Sequence, residues 1–146
     1  MNRPEWDKHL FQQGIYSGLT LITIFGLLLA LIFVIGPCLH KAQAADPWGT
    51  QDIALEATWQ LLHLLDWGQT LDIADHPEKY HEHNPIMGKH PSRSTVNLYM
   101  GAWIPLHIGI TYVLPKECRP YWQYVTIGVT GTCVIKNFSV GLQVRF

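Results

Sequence analysis

A long apolar segment near the N-terminus constrains this chain more than any other feature. Leu19 to Gly36 is interrupted only by two threonines and by glycines, and no charged side chain lies between His9 and His40. A helix of about 20 such residues matches a hydrocarbon core of roughly 30 Å, because in lipid every backbone amide must find its partner within the segment. The sequence therefore predicts a chain that is inserted into a membrane or exported.

Residues 1–44 fit either an uncleaved anchor or a cleaved signal segment. Ala42 and Ala44 place small side chains where a signal peptidase requires them, so cleavage after Ala44 is the alternative. However, the apolar run is longer than the usual h-region, and the first 13 residues mix acidic with basic side chains. We expect residues 1–44 to be an N-terminal membrane anchor and residues 45–146 to form a helical membrane domain.

Length and charge narrow the class of protein. The 146 residues allow one domain beside the anchor, and the formal net charge is −1. The few lysines and arginines are spread thinly, so no electrostatic case exists for binding nucleic acid. We expect no nucleic-acid partner.

A second helix is predicted after the anchor, capped by Thr50 or Asp52 and running to about Asp72. At 100° per residue, its polar and titratable side chains fall on one side and leucines cover much of the rest. The predicted polar stripe consists of Asp52, Glu56, Gln60, His63, Asp66, Trp67 and Thr70.

The following segment, residues 75–92, is polar and rich in histidine. Pro77, Pro85 and Pro91 exclude a continuous helix, since proline lacks the N–H and pushes the preceding residue toward extended geometry. We predict a histidine-rich loop here. Ser94 is then predicted to cap a third hydrophobic helix from Thr95 to Leu114, kinked at Pro105.

The C-terminal segment is ambiguous. Residues 121–135 are rich in β-branched side chains, and the last nine residues alternate apolar with polar or small ones. We favour a helix followed by a short extended tail; a C-terminal β-hairpin is the alternative. The predicted fold is thus an all-α, small polytopic membrane protein with three to four hydrophobic helices.

The distribution of lysine and arginine predicts the orientation of such a fold. Four spans with both termini in the cytoplasm leave most basic residues inside, which matches the positive-inside rule. We therefore expect a bacterial inner-membrane protein whose histidine-rich loop is cytoplasmic. Aromatic residues are expected in interfacial belts: Trp48, Trp59, Trp67, Trp103, Trp122, Tyr99, Tyr112, Tyr121 and Tyr124.

Five titratable residues are the candidates for chemistry. His63 and Asp66 lie at i and i+3 on the predicted stripe, and a bundle would bring them near His107, with Glu82 and His83 contributed by the loop. Imidazoles and carboxylates are ligands that zinc accepts, and an intramembrane ionisable group is a functional candidate. We assign catalytic roles to His63, Asp66 and Glu82 and metal ligation to His83 and His107. No cofactor is expected; a divalent metal such as zinc is the alternative.

Three stretches of sequence resemble a group of small membrane proteins encoded by tailed bacteriophages. In that group, a helix with an aspartate and a Gln-Thr pair leads to a Glu-x-Asn-Pro loop. The matching residues here are Asp66 with Gln69 and Thr70, Glu82 with Asn84 and Pro85, Gly88, and the segment from Trp122 to Gly128. The resemblance implies a phage or prophage origin and membrane residence, and it carries no catalytic residue over.

Three functions remain in competition. The first is a non-enzymatic phage- or prophage-type membrane protein that acts at the host cell envelope. Its partners would be the lipid bilayer, a host or phage membrane protein, and further copies of the chain. The second is a small intramembrane metal-dependent hydrolase, and the third is a virion or outer-membrane structural component.

Overall fold

The computed structural model describes residues 46–146, and these residues form three helices and no strand. Helix α1 is Thr50–Asp75, α2 is Arg93–Val113 and α3 is Arg119–Ser139. The all-helical class predicted for this part of the chain is confirmed. The predicted anchor or signal segment, residues 1–44, lies outside the described residues.

Helix α1 begins one residue earlier than the sequence suggested. Gly49 is the N-cap, and the Asp52 carboxylate accepts the Gly49 N–H at 2.9 Å. The expected cap at Thr50 or Asp52 was therefore wrong in position, although Asp52 does satisfy a free donor at the helix start. The helix continues to Asp75, three residues beyond the predicted end.

Helix α2 is capped by Ser92 and not by Ser94. The Ser92 hydroxyl accepts the Thr95 N–H at 3.1 Å. Both serines suit the N-cap position. Pro91 is compatible with a helix that begins after either serine, so the sequence does not distinguish Ser92 from Ser94. The helix continues through Pro105 and ends at Val113.

Helix α3 forms in the segment whose β-branched residues made a β-hairpin the alternative prediction. The hairpin alternative was wrong. Pro120 occupies the first turn, where its missing N–H costs nothing, and two threonine hydroxyls bond back to carbonyls of the preceding turn. Packing against α1 overrides the weak propensity of these residues. Gly141, at φ +89°, lies two residues beyond the helix, and residues 142–146 form an irregular tail.

The three helices belong to one unit in which α1 packs against both of the others, most extensively against α3. Bonds between α1 and α3 follow the same order along both helices: Gln123 reaches the Asp52 carbonyl and Asn137 reaches Asp66. Helices α1 and α3 therefore run parallel. Helix α2, which lies between them in sequence, runs back in the opposite direction. An apolar cluster lies between α1, the loop and α2: Leu71, Met87, Val96 and Met100.

Within residues 46–146, no helix meets the length and hydropathy expected of a membrane span.

Candidate functional site

The polar stripe of α1 faces the interior of the unit. Asp52, Glu56, His63 and Thr70 are all buried, whereas Leu61 on the opposite side is 65% exposed. In a water-soluble helix the apolar face is normally the buried one, and Asp and Glu are almost never fully buried unless paired. The interior must therefore supply partners for these groups.

The Glu56 carboxylate is the centre of the interior. The His107 ring nitrogen Nδ1 lies 2.9 Å and 3.0 Å from its two oxygens. The Thr111 hydroxyl lies 3.1 Å from Glu56 and 2.9 Å from the His107 carbonyl, so its one proton is shared between these two acceptors. Gln60 and Gln123 donate their amides to Glu56 at 2.9 Å and 3.4 Å. An ionised carboxylate only accepts hydrogen bonds, so this set of donors matches it at both oxygens.

The His107 side chain contacts residues of both other helices. Its Nε2 lies 2.9 Å from the Thr126 hydroxyl of α3, and its ring stacks on Trp59 at a centroid distance of 3.6 Å. Trp122 stacks at 5.0 Å, and the residue has no exposed surface. Glu56, His107 and Thr126 thus form one chain of hydrogen bonds that crosses all three helices.

Arg119 ties the ends of the helices together. Its guanidinium donates to the carbonyls of Thr111, Tyr112 and Leu114 at the C-terminus of α2. It also donates to the carbonyls of the two residues at 46 and 47, and it lies 3.6 Å from the Asp52 carboxylate. A cation beside the last carbonyls of a helix satisfies acceptors that have no partner within the helix. We call the following residues the buried network: Asp52, Glu56, His107, Thr111, Arg119, Gln123 and Thr126.

Two members of the predicted site, His63 and His107, meet around one aromatic ring. Trp59 stacks on His107 and also on His63, the second at a centroid distance of 4.7 Å. The His63 Nε2 lies 2.9 Å from the Met100 carbonyl of α2. Each imidazole is therefore engaged with a protein group and not turned toward the other.

The other predicted site residues lie elsewhere. Asp66, about three turns beyond Glu56 on α1, accepts an amide proton from Asn137 at 3.1 Å. In the loop, Glu82 accepts the backbone N–H groups of His83 and Asn84, both at 2.8 Å, and the His83 side chain is exposed. Across the described part of the chain, no group of three or more His, Cys, Asp or Glu side chains is arranged to hold a metal ion. Of the five candidates, His63 and His107 share the Trp59 ring, and the structure does not gather all five into one site.

The residues of the Gln-Thr and Asn-Pro motifs make structural bonds. The Gln69 amide donates to the Val134 carbonyl at 3.3 Å, and the Thr70 hydroxyl donates to the Asp66 carbonyl at 2.8 Å. Asn84, which precedes Pro85, accepts the Ile86 N–H at 3.0 Å through its side chain. Gly88 has φ +76° and donates its N–H to the Asn84 carbonyl at 3.1 Å, which closes the turn.

The C-terminal tail docks on the last turns of α1. The Arg145 N–H donates to the Gly68 carbonyl at 3.1 Å, and the Gln143 N–H donates to the Asp72 carboxylate at 2.9 Å. The Arg145 guanidinium also lies 3.0 Å from Asp72. We call residues 76–92 together with the tail, residues 140–146, the loop end of the unit.

Sequence reasoning missed Glu56, Arg119 and Thr126 as site residues. Glu56 lay on the predicted stripe about two turns from His63, and that placement was the available signal. Arg119 follows Lys116 and Glu117 in a short polar stretch, and nothing in its neighbours indicates that its side chain turns inward.

The network accounts for stability better than for catalysis. The Thr126 hydroxyl lies 3.0 Å from the carbonyls of Trp122 and Gln123, so its one proton is engaged within α3. A hydroxyl nucleophile would have to give that proton to His107. The arrangement instead gives partners within residues 46–146 to most of the buried polar atoms, the Gln123 side-chain oxygen and the Trp122 indole nitrogen excepted, and it fixes how the helices pack.

Comparison with protein-family models, with curated proteins and with solved structures finds no match to this chain.

Proposed function

We propose that this chain is a non-enzymatic, phage-type membrane protein of the bacterial envelope, with residues 46–146 embedded in the lipid as a polytopic helical unit. It would act through contacts with a host or phage membrane protein. The observation that carries this proposal is a set of hydrogen-bonded and ionisable side chains inside the unit together with apolar side chains exposed along each helix.

The outer surface of the helices carries no exposed charge over long stretches. From 53 to 74 the only charged residues are Glu56, Asp66 and Asp72, none of which is exposed. Residues 94–114 and 120–135 contain no Asp, Glu, Lys or Arg at all. The exposed apolar side chains follow helical spacing along each helix: Ile53, Leu61 and Leu65 on α1, Leu98, Leu106 and Val113 on α2, and Tyr121, Val125 and Val129 on α3.

The lengths of α2 and α3 suit a bilayer, although their mean hydropathy is below that of a typical membrane span. A helix of 21 residues, such as α2 or α3, is roughly 31 Å long at 1.5 Å per residue, close to the thickness of the hydrocarbon core. Charged side chains gather beyond both ends. Lys116 and Glu117 lie in the link between α2 and α3, and Lys79, Lys89 and others lie at the loop end.

A polar interior is the expected means of holding such helices together. Lipid tails are as apolar as leucine, so helices in a bilayer gain little by burying leucine against leucine. Interhelical hydrogen bonds and close packing associate them instead, and ionisable groups face the bundle interior in pairs. The bonds of Glu56 with His107 and of Arg119 with Asp52 have this character.

Two of the expected interfacial aromatic residues do not fit an exposed belt. Trp59 and Trp122 are buried against His107 and belong to the interior, which corrects that expectation. By contrast, Tyr112, Tyr121 and Tyr124 are exposed near the charged link between α2 and α3. These three tyrosines are placed as residues at a membrane interface would be.

The non-enzymatic part of the proposal rests on the closed state of the buried network. His107, Thr111 and Arg119 have no exposed surface, and the Glu56 carboxylate already has donors at both oxygens. The phage-type assignment rests on the resemblance of the Gln-Thr and Glu-x-Asn-Pro motifs alone.

Photo-cross-linking tests the placement in lipid. A benzoylphenylalanine residue is introduced at Leu106, an exposed position in the middle of α2, and at Lys79 in the loop as the matched control. The full chain is reconstituted in vesicles of phosphatidylethanolamine and phosphatidylglycerol and irradiated. We expect lipid adducts at position 106, detected by mass spectrometry, and none at position 79.

Two results would overturn this placement. The first is the absence of lipid adducts at position 106 while the chain remains bound to the vesicles, since residues 1–44 alone could then account for binding. The second is an equal yield of lipid adducts at both positions, which would mean that α2 lies no deeper than the loop.

The non-enzymatic assignment is tested by Thr126→Val, which keeps the shape of the side chain and removes its hydroxyl. A protein that acts through contacts retains its effect on the growth of the host when the variant is expressed at the wild-type level. Complete loss of that effect in a variant with unchanged helical content would show that the hydroxyl takes part in chemistry.

A further inference from the structure

The loop carries two histidines that its backbone places side by side. The Glu82 N–H donates to the Lys89 carbonyl at 2.9 Å, and the turn between them is closed by the bond from Gly88 to Asn84. His81 and His90 are the residues that flank this backbone pair. Their imidazole rings lie 5.8 Å apart between centroids at an interplanar angle of 82°.

We propose that His81 and His90 form a binding site for one divalent transition-metal ion of the zinc class. Zinc binds imidazole nitrogen at about 2.0–2.1 Å, so two ligating rings around one ion have centroids roughly 5 to 6 Å apart. The observed separation falls in this range. Both side chains are exposed, which leaves them free to turn a nitrogen toward a common ion.

The choice of metal follows from the ligand type. Neutral imidazole suits zinc, copper and nickel, whereas magnesium and calcium require oxygen ligands. Two protein ligands leave the remaining positions to water, consistent with the lack of any three-residue group in the described residues. Such an ion would join the two sides of the loop across the Glu82–Lys89 pair.

The other histidines within residues 46–146 are distinguished by their surroundings. His63 and His107 are buried and bonded within the helices, and His76 lies 3.2 Å from the Asp72 carboxylate. His83 is exposed like His81 but lies on the other side of Glu82 along the chain. His83 is therefore the matched control for a site that depends on a particular pair and not on the general abundance of histidine.

The test is a calorimetric titration of the full chain in detergent micelles with Zn²⁺, after removal of any histidine tag. We expect one ion per chain. His81→Ala and His90→Ala should each weaken binding at least about tenfold, the scale on which metal sites respond when their supporting groups are lost. His83→Ala should bind Zn²⁺ as the wild type does, and Mg²⁺ should give no signal with any variant.

Each other outcome rejects the site. A wild-type chain that binds no Zn²⁺, or that binds it equally well after both His81→Ala and His90→Ala, contradicts the pair. So does an equal loss in His83→Ala, because it would indicate diffuse binding by the loop. The two positions are exposed, so circular dichroism should show unchanged helical content in every variant. The result is independent of whether α2 lies in lipid.

Discussion

The buried network and the loop, residues 76–92, are held together in different ways. In the buried network, bonds join residues far apart in sequence, such as Glu56 with His107 and Gln123 with the Asp52 carbonyl. Within the loop, bonds join near neighbours, such as Asn84 with Ile86 and with Gly88. Damage to the network should therefore loosen the whole unit, whereas damage to the loop should remain local.

The largest effect is expected from Arg119→Ala. The substitution leaves five backbone carbonyls without their donor and the Asp52 carboxylate without its cation. Breaking one side of a buried ion pair costs about 3–5 kcal/mol. The free energy of unfolding, measured for the full chain by titration of mixed micelles with sodium dodecyl sulfate, should fall by about that amount.

Arg93→Ala is the control for this comparison. Arg93 also pairs with a carboxylate, that of Asp75 at 2.6 Å, but both side chains are partly exposed. Exposed pairs contribute at most about 1 kcal/mol. Equal losses of stability in the two variants would show that the contribution of Arg119 to the free energy of unfolding does not depend on its burial.

Glu56→Gln should have the next largest effect. The glutamine amide presents a second donor to His107, Thr111 and Gln123, so at least one buried donor loses its acceptor. An unsatisfied buried group costs about 1–3 kcal/mol, and the same unfolding titration should report a loss of this size. Glu78→Gln, at an exposed position of the loop, should leave stability within about 0.5 kcal/mol of the wild type.

The difference between the two regions also explains what could be predicted from sequence. The polar stripe of α1 was visible because helical periodicity is a local property, and Asp52, Glu56, His63 and Thr70 do share one buried side. The partners of that stripe were not visible. Which residues of α2 and α3 face it depends on how those helices are rotated, and no local pattern determines that rotation.

The predicted site illustrates the same limit. His63 and Asp66 are one turn apart on α1, but His63 bonds to the Met100 carbonyl and Asp66 to Asn137 of α3. Proximity along one helix did not make them act together. For the C-terminal segment a helix was favoured, and the hairpin stayed open as the alternative for the related reason that local propensity does not report the packing against α1.

Gly68→Ala probes the contact between α1 and the tail. A Cβ at this position would lie 2.5 Å from the Val144 side chain and 3.2 Å from the Arg145 nitrogen. Because the Arg145 N–H is bonded to the Gly68 carbonyl, the tail must move away. We expect a loss of about 1–3 kcal/mol and faster digestion of the tail by carboxypeptidase.

Gly109→Ala is the control that separates the loss of the tail contact from the general effect of replacing glycine by alanine in a helix. A Cβ at Gly109 meets nothing within 4 Å, so the change should raise stability by about 0.4–1 kcal/mol because alanine is less flexible in the unfolded chain. Stability that changes alike in the two variants would contradict the close approach of the tail at Gly68.

The smallest effect is expected from Gly88→Ala in the loop. Gly88 has φ +76°, and an L-residue in the left-handed region costs roughly 1 kcal/mol, although a Cβ there would meet no neighbour. The strain should weaken the turn and with it the bond from the Glu82 N–H to the Lys89 carbonyl. Hydrogen exchange at the Glu82 amide should therefore become severalfold faster, while amides within α1 keep the wild-type rate. Faster exchange along α1 as well would show that the loop and the buried network unfold together, and the distinction between the two regions would then fail.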